Sequence, residues 1–277
     1  YSSFWPLISS VNQHTRLPAL LEDPLPEVRA FGVERIAVLL RDGEADETEL
    51  QLLVNRLKDS SSQVRLAAAK LLPEIDVAGI AEYVASALAT EKNLEVAAEE
   101  LRFFQTHPNG LAFNVVIDKL QRGPVEPAAK ALVSLLNHSD IAQSRSQQIV
   151  KTVQRARKKY NFPELVTIEA MLGNSQDQNR LIPLLNHGSQ EMRIAVAKGF
   201  ASAGFSEPLI KIANQPEMYS FALEALIAQE NLQSFIELID LYQGRNPLWN
   251  DAAISIMSSL NTNDMLRGDD MLQLLGL

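Results

Sequence analysis

The chain has 277 residues, of which 46% are apolar and 6% aromatic, and it carries a formal net charge of −9 and no cysteine. Disulfides, thiolate nucleophiles and cysteine-based zinc sites are therefore excluded, and the acidic charge disfavours a dedicated nucleic-acid binder because phosphate repels it. No uninterrupted apolar run approaches the ~18 residues that a membrane span needs. Ala and Leu dominate over β-branched and aromatic runs, which favours an all-α protein.

The N-terminal segment, residues 1–13, is predicted to be a tail or a cap on the first helix pair, because it contains several apolar side chains. It begins at Tyr1 rather than Met. We expect a cytoplasmic protein. The alternative is a soluble domain of an exported or membrane-anchored protein whose signal or anchor has been removed.

One motif recurs along the chain. Its copies are LEDPLPEVRAF at 21–31, LKDSSSQVRLA at 57–67 and, in part, GSQEMRIAVAKGF at 188–200. The first two copies place an Asp in the turn, Asp23 and Asp59. Six residues later each carries an Arg, Arg29 and Arg65, and the third copy carries Arg193 at the same phase.

Each copy is a polar turn followed by a helix. In the second copy, Ser61 or Ser62 is predicted to cap this helix through its hydroxyl. The apolar residues then recur at the spacing of one helical face: Val64, Ala67, Ala68, Leu71 and Leu72. A two-helix unit cannot bury this face alone, so neighbouring units are expected to stack around one core.

Weaker copies extend the pattern to the C-terminus. They lie at 94–101, 125–132, 217–226 and 248–257. About seven to eight helix pairs are predicted, starting near residues 14, 46, 77, 110, 141, 178, 205 and 231. Residues 264–277 are predicted to form a C-terminal capping helix. The expected organisation is a single elongated domain over residues 1–277.

The turn-and-helix pattern D-x₄-VR-x-A of the first two copies resembles a HEAT repeat, a unit of armadillo-like α-solenoids. The resemblance is strongest at 17–75 and 178–203. It weakens from 77 to 177, where the sequence alignment places Glu95 and Glu126 opposite the Arg.

This resemblance implies a right-handed α–α superhelix and a non-catalytic scaffold that binds a protein or peptide along its concave face. Some helical-repeat proteins are enzymes, and a few HEAT proteins attach bilin pigments to phycobiliproteins. A helical-repeat enzyme or a pigment-attachment, lyase-like protein is therefore the alternative. We expect a monomer or weak dimer.

The residues themselves give little sign of catalysis. The four histidines fall in different repeats: His14, His107, His138 and His187. The chain contains no His-Glu dipeptide and no glycine-rich phosphate loop. LLNH occurs at 135–138 and again at 184–187, where it is predicted to end a helix. No catalytic residue, cofactor or metal ligand is predicted.

Residues 141–163 differ from the rest of the chain in charge. They hold six basic and no acidic side chains, whereas residues 1–140 sum to −7 and residues 164–277 to −8. The stretch is predicted to be one long basic helix, 145–159. The side chains at its core-facing spacing are Ile149, Val153, Ala156 and Tyr160.

A ridge of cations follows on another face of this helix: Lys151, Arg155, Lys158 and Lys159. Three interpretations are open. The ridge is a solvated face paired with an acidic neighbouring repeat, a site for an acidic partner segment, or a phosphate or nucleic-acid site. The negative flanking regions oppose the third, since they repel a long polyanion.

The second helices of the repeats supply the other candidate partner-binding residues: Arg65, Lys70, Glu95, Lys130 and Arg193. The recurring Arg has two interpretations. It either bonds to the turn Asp of its own or a neighbouring repeat, or it contacts a ligand directly.

Overall fold

The computed structural model describes residues 10–75, 79–138 and 143–212, together with positions 215, 218 and 222. All regular elements within these residues are helical, which confirms the all-α prediction. The α-helices are α1 (Ser10–Leu21), α2 (Pro26–Asp42), α3 (Glu47–Asn55), α4 (Ser62–Leu71), α5 (Ile80–Thr90), α6 (Leu94–Thr106), α7 (Phe113–Arg122), α8 (Val125–Asn137), α9 (Gln143–Arg157), α10 (Pro163–Leu172), α11 (Ser175–His187), α12 (Gln190–Ser202) and α13 (Glu207–Ile212). Short 3₁₀ turns lie at Arg56–Lys58, Leu72–Glu74 and Gly110–Ala112.

The chain divides into two compact units, Tyr1–Ile141 and Ala142–Leu277. Helices α1–α8 belong to the first unit and α9–α13 to the second, and from α1 to α12 they form six consecutive pairs within the described residues. The predicted pair near 231, the capping helix 264–277 and residues 1–9 lie outside the described residues. The single domain over 1–277 stays a prediction.

The first unit consists of two helical layers. The second helices of the pairs, α2, α4, α6 and α8, pack on one another in chain order, and the first helices, α1, α3, α5 and α7, form the other layer. The core between the layers is apolar and fully enclosed, and it includes Leu17, Leu53, Leu72, Leu88, Leu101 and Phe104. Stacking of successive units thus buries the faces that no single pair can bury.

The second unit is centred on the crossing of α10 and α12. Thr167 of α10 donates its hydroxyl to the Ala195 carbonyl of α12 at 3.1 Å. Gly199 of α12 lies against α10, and a Cβ built on it would stand 2.4 Å from the Ala170 Cβ and 2.6 Å from the Thr167 carbonyl oxygen. The absence of a side chain at residue 199 is therefore what permits the two backbones to approach so closely.

Two local predictions are wrong. Ser61 occupies the N-cap position of α4, but its hydroxyl makes no capping bond; the Asp59 carboxylate accepts the Ser61 N–H at 2.8 Å instead. Helix α9 ends at Arg157, so Tyr160 lies beyond the helical period that predicted it to face the core. Tyr160 is 42% exposed and stacks on Phe162.

Candidate interaction surfaces

An ion pair joins the turns of the first two repeats. Arg29 of α2 donates from Nε and Nη2 to the two carboxylate oxygens of Asp59, at 2.8 and 2.7 Å. Its Nη1 donates to the Asp23 carbonyl at 2.9 Å. The planar guanidinium thus holds the turn of its own repeat and the turn acid of the next repeat at once, a geometry that lysine cannot reproduce.

The same arrangement recurs one repeat later. Arg65 of α4 donates from Nε and Nη2 to Glu91 at 2.6 and 3.0 Å, and from Nη1 to the Asp59 carbonyl at 2.9 Å. Both acids are almost fully enclosed, with Asp59 and Glu91 side chains each 3% exposed. We call this series of turn acids and cations the turn ladder; its members are Arg29, Asp59, Arg65, Glu91 and Lys119.

Each turn acid also fixes its own turn. One Glu91 oxygen accepts the backbone N–H groups of Lys92 and Asn93 at 2.8 and 2.7 Å. Burial alone would raise the pKa of the Glu91 carboxyl, but hydrogen bonds from Arg65 and the Asn93 N–H hold that pKa below its ordinary value. Burial would also raise the pKa of Asp59, but the hydrogen bonds from Arg29 and the Ser61 N–H, together with the positive charges of Arg29 and Arg56, lower it. Both acids are thereby kept ionised and paired.

At the next step the cation comes from a different helix. The Ala97 N–H bonds to the carbonyl of the N-cap Asn93, as the Arg65 N–H bonds to that of Ser61, so Ala97 occupies the register position of the ladder Arg. Lys119 of α7 donates its ammonium to the Glu91 carbonyl at 2.6 Å. Lysine here supplies the contact to the turn carbonyl that arginine makes in the two preceding repeats.

This register corrects the sequence alignment. Glu95 and Glu126 do not replace the ladder Arg, because the helix starts place Ala97 and Ala128 at that position. Sequence reasoning also missed Glu91 as a turn acid. The available signal was its place two residues before the N-cap residue, the place that Asp23 and Asp59 hold in the earlier repeats.

Another buried acid lies beside the ladder. Glu100 of α6 is 0% exposed, and neither carboxylate oxygen has a hydrogen-bond partner among the described residues. Burial, reinforced by the negative charge of Glu91, raises the pKa of Glu100 to about 8, against the opposing charges of Lys119 and Arg65. Its carboxyl is therefore protonated at neutral pH. Because it is fully enclosed, it offers no accessible acid for catalysis.

Arg193 also serves its own helix pair. It is buried in α12 and donates from Nε to the Leu185 carbonyl at 3.1 Å and from Nη2 to the Gln215 side chain. The guanidinium thus ties α12 to α11. With Arg29 and Arg65 in the turn ladder, the recurring Arg has a structural contact in each of the three strong copies.

The other predicted second-helix residues are exposed. Lys70, Glu95 and Lys130 lie at the surface of α4, α6 and α8, and Lys130 pairs with Glu126 at 2.7 Å. We use the name second-helix face for seven charged side chains on the second helices of the first unit: Glu27, Glu34, Lys70, Glu95, Arg102, Glu126 and Lys130. The exposed Arg41 and Asp42 at the C-terminal end of α2 are not counted in it. Of the five predicted residues, Lys70, Glu95 and Lys130 therefore lie on one surface. The other two, Arg65 and Arg193, make internal contacts.

The cations predicted on the basic helix separate into two groups. Arg157 turns inward and pairs with Glu169 of α10, and Gln154 donates to the same carboxylate at 3.0 Å. Arg145 is half-buried and has a contact of its own. The other four cations are exposed, and we call them the basic ridge: Lys151, Arg155, Lys158 and Lys159. Within the residues that the structure describes, no ridge side chain makes an ion pair or hydrogen bond.

A groove of about 480 Å³ opens beside the basic ridge in the second unit. It is lined by Ser146, Gln147, Val150, Lys151, Gln154, Leu172, Gly173, Asn174 and Asp177. Lys151 belongs to both the groove and the ridge. Asp177 on the opposite wall accepts from Gln154 at 2.9 Å and forms a capping box with Asn174 at the start of α11. The groove therefore lies between the capped N-terminus of α11 and the exposed Lys151 of the basic ridge.

The described residues hold neither a cluster suited to a metal ion nor a membrane-spanning helix. In the parts of the chain given above as described, no group of three or more His, Cys, Asp or Glu side chains is placed to hold a metal ion. The same parts contain no helix with the length and apolarity to cross a membrane.

Comparison with known proteins supports the repeat assignment. Residues 50–75 match the HEAT repeat family, which confirms the resemblance predicted from the turn-and-helix motif. No curated protein matches the chain in sequence. Among solved structures, the chain is similar to a chain in the complex of CpcE and CpcF of phycocyanin lyase from Nostoc sp. PCC7120, with 15% sequence identity, a TM-score of 0.46 and coverage of 89% of this chain and 92% of that chain.

Proposed function

We propose that the chain is a non-catalytic interaction module and that the second-helix face of its first unit binds an extended segment of a protein partner. The observation that carries this proposal is the side-by-side packing of α2, α4, α6 and α8. Their exposed sides form one continuous surface, and the turn ladder links α2 to the turn before α4 and α4 to the turn before α6. A surface held in this way loses little conformational entropy when a partner binds.

The charge pattern of this face suits a segment with both signs of charge. Glu27, Glu95 and Glu126 each lie two residues after an N-cap, so they form an acidic row at one end of the helices. Nine residues after the N-cap, about two turns further along, α4 and α6 carry Lys70 and Arg102, whereas α2 carries Glu34. The two cations beside the acidic row give a binding segment a defined position and direction.

Apolar side chains border the acidic row. Leu25 and Leu94, at the starts of α2 and α6, are 58% and 59% exposed. Leu25 lies two residues before Glu27, and Leu94 lies next to Glu95. This proximity supports recognition of a segment that combines apolar and basic residues. Large exposed apolar side chains beside polar ones are typical of protein-binding surfaces.

The buried ionisable residues support a structural rather than a catalytic role for the interior of the first unit. Asp59 pairs with Arg29, and Glu91 pairs with Arg65. Glu100 is fully buried. Catalytic acids and bases need access to a substrate. The helical-repeat enzyme and pigment-attachment alternatives stay predictions from the sequence.

Partner capture and charge reversal together test the proposal. The protein is used to isolate partners from its native host, and each recovered partner is identified by mass spectrometry, produced recombinantly and titrated by calorimetry. The variant Lys70→Glu, Arg102→Glu, Lys130→Glu should bind at least about tenfold more weakly. The matched control, Arg16→Glu, Lys58→Glu, Arg122→Glu, makes the same change in charge on the first-helix layer of that unit.

The two triple variants separate a surface effect from a net-charge effect. The control is expected to bind within about twofold of wild type, since exposed charges outside an interface contribute little to affinity. Equal weakening in both variants, or none in either, would overturn the assignment of the second-helix face.

A further inference from the structure

The basic ridge groups four exposed cations on and beside one helix that has no acidic residue. Elsewhere in the described helices exposed cations occur singly: Arg16, Lys70 and Lys198 make no ion pair there, and others pair with an acid three or four residues earlier on their own helix. These pairs are Arg102 with Glu99, Arg122 with Asp118, Lys130 with Glu126, Arg180 with Asp177 and Lys211 with Glu207. Helix α9 has no acidic residue with which to form such a pair.

The ridge therefore carries like charges at helical spacing. Lys151 and Arg155 stand at i and i+4 on α9, and Lys158 at i+7 is the first residue after it, in a turn that the Tyr160 N–H closes on the Ala156 carbonyl at 3.0 Å. Neighbouring cations at this spacing repel each other. They span about 10 Å along the surface at the helical rise. Charge concentrated in this way, without internal compensation, attracts a segment of opposite charge.

We infer that the basic ridge docks an acidic helical segment of a protein partner, with carboxylates at i, i+4 and i+7. A helix presents side chains at the same period as the ridge, so each carboxylate meets one cation. This inference goes beyond the proposed function, because it concerns the second unit and does not depend on the second-helix face.

The surroundings of the ridge fit a docked helix. The groove beside Lys151 receives side chains from one end of such a segment. At the other end, exposed Tyr160 stacks on Phe162 with ring centroids 5.7 Å apart and offers an apolar contact next to Lys159. Charge pairs flanked by an aromatic contact and a groove favour a folded protein segment over a bare polyanion.

Nucleic acid fits the same surface less well. The ridge is confined to α9 and the turn that follows it, while the sequences on either side of residues 141–163 sum to −7 and −8. A nucleic acid extends its phosphates beyond a patch of about 10 Å, and salt-dependent affinity grows with the number of phosphates neutralised. The flanking acids therefore oppose its binding.

Synthetic peptides provide the test, with binding to the full chain followed by fluorescence anisotropy. The probe is a labelled helical peptide of about 15 residues with Glu at i, i+4 and i+7 on one face. A second peptide has the same composition but places its Glu residues around the helix. A single-stranded oligonucleotide of equal charge is the third ligand.

The one-face peptide is expected to bind at least about fivefold more tightly than the scrambled peptide and the oligonucleotide, and to weaken as salt is raised. The variant Arg155→Glu, Lys158→Glu, Lys159→Glu should lose at least about tenfold in affinity. The control variant Arg180→Glu, Lys198→Glu, Lys211→Glu, with the same net charge on the same unit, should lose less than about twofold.

Tighter binding of the oligonucleotide, equal binding of the two peptides, or equal loss in both variants would overturn the inference. If charge reversal lowers the melting temperature of the chain, the milder variant Lys151→Gln, Lys158→Gln replaces it. That variant keeps the polar surface of α9 and should still lose affinity for the one-face peptide; unchanged affinity would count against the ridge.

Discussion

Arg29 and Asp59 lie 30 residues apart in sequence and form two parallel hydrogen bonds, at 2.8 and 2.7 Å. The pair connects the second helix of one repeat to the turn of the next. Arg65 and Glu91 repeat the connection. Apolar stacking alone permits neighbouring helix pairs to slide, whereas a two-pronged bond at each turn fixes their register.

The turn ladder predicts that Asp59 matters far more for stability than its counterpart in the first turn. Asp59→Ala leaves the buried Arg29 guanidinium without its carboxylate and the Ser61 N–H without its acceptor. The free energy of unfolding should fall by about 3 kcal/mol. Asp23→Ala is the matched control, because the Asp23 carboxylate accepts the exposed Leu25 N–H. It should cost at most about 1 kcal/mol. Urea denaturation of both variants checks the difference, and equal losses would contradict it.

Glu100 predicts a pH dependence of stability with a definite sign. Its pKa rises from 4.5 to about 8 in the folded chain. Between these values the folded state holds a proton that the unfolded state releases. The contribution of Glu100 to stability therefore decreases as pH rises through this window, by up to about 1.4 kcal/mol per unit, and levels off above it.

Glu100→Gln isolates this effect, since the amide has the shape of the protonated carboxyl and does not ionise. Relative to wild type, the variant should gain stability steadily from about pH 5 to about pH 8. Urea denaturation of both proteins across this range measures the difference. A difference that stays constant with pH would show that burial does not shift this group.

The positions of the helix pairs could be predicted from the sequence with good accuracy. The predicted starts near 14, 46, 77, 110, 141 and 178 lie within four residues of the observed starts of α1, α3, α5, α7, α9 and α11. Apolar residues at the helical period and polar turns between them are local signals, and they suffice to locate helices. The match of residues 50–75 to the HEAT repeat family agrees with these local signals.

The contacts between repeats were harder to predict. The sequence alignment matched the Ala-rich stretches of the repeats and placed Glu95 opposite Arg65. In the structure, Ala97, two residues later, occupies the position equivalent to Arg65. A slip of two residues moves a side chain to another face of a helix. Lys119 reaches the ladder from a different helix, and no repeat alignment contains such a contact. The end of α9 was also missed, because no Gly or Pro marks it.

The N-caps of α4 and α6 give a paired prediction. Asn93 accepts the N–H groups of Glu95 and Val96 through its side chain, at 2.9 and 3.3 Å. Asn93→Ala should therefore lower the free energy of unfolding by about 1 kcal/mol. Ser61→Ala, at the equivalent cap, removes a hydroxyl that makes no capping bond and should change stability by less than about 0.5 kcal/mol. Thermal melts of the two variants distinguish them, and a larger loss at Ser61 would show that its hydroxyl does cap α4.

Gly199→Ala should destabilise the chain even though Ala is the better helix former. Ala is favoured over Gly inside a helix by about 1 kcal/mol, so Gly199→Ala on an open surface would stabilise α12. Its new Cβ would instead stand 2.4 Å from the Ala170 Cβ and force α10 and α12 apart. The free energy of unfolding should fall by about 1–3 kcal/mol, as overpacked cores do. Gly110→Ala is the control, because a Cβ there meets no atom within 4 Å. Urea denaturation should show a change of less than about 0.5 kcal/mol for the control. A stabilised Gly199→Ala variant would mean that α10 and α12 separate at little cost.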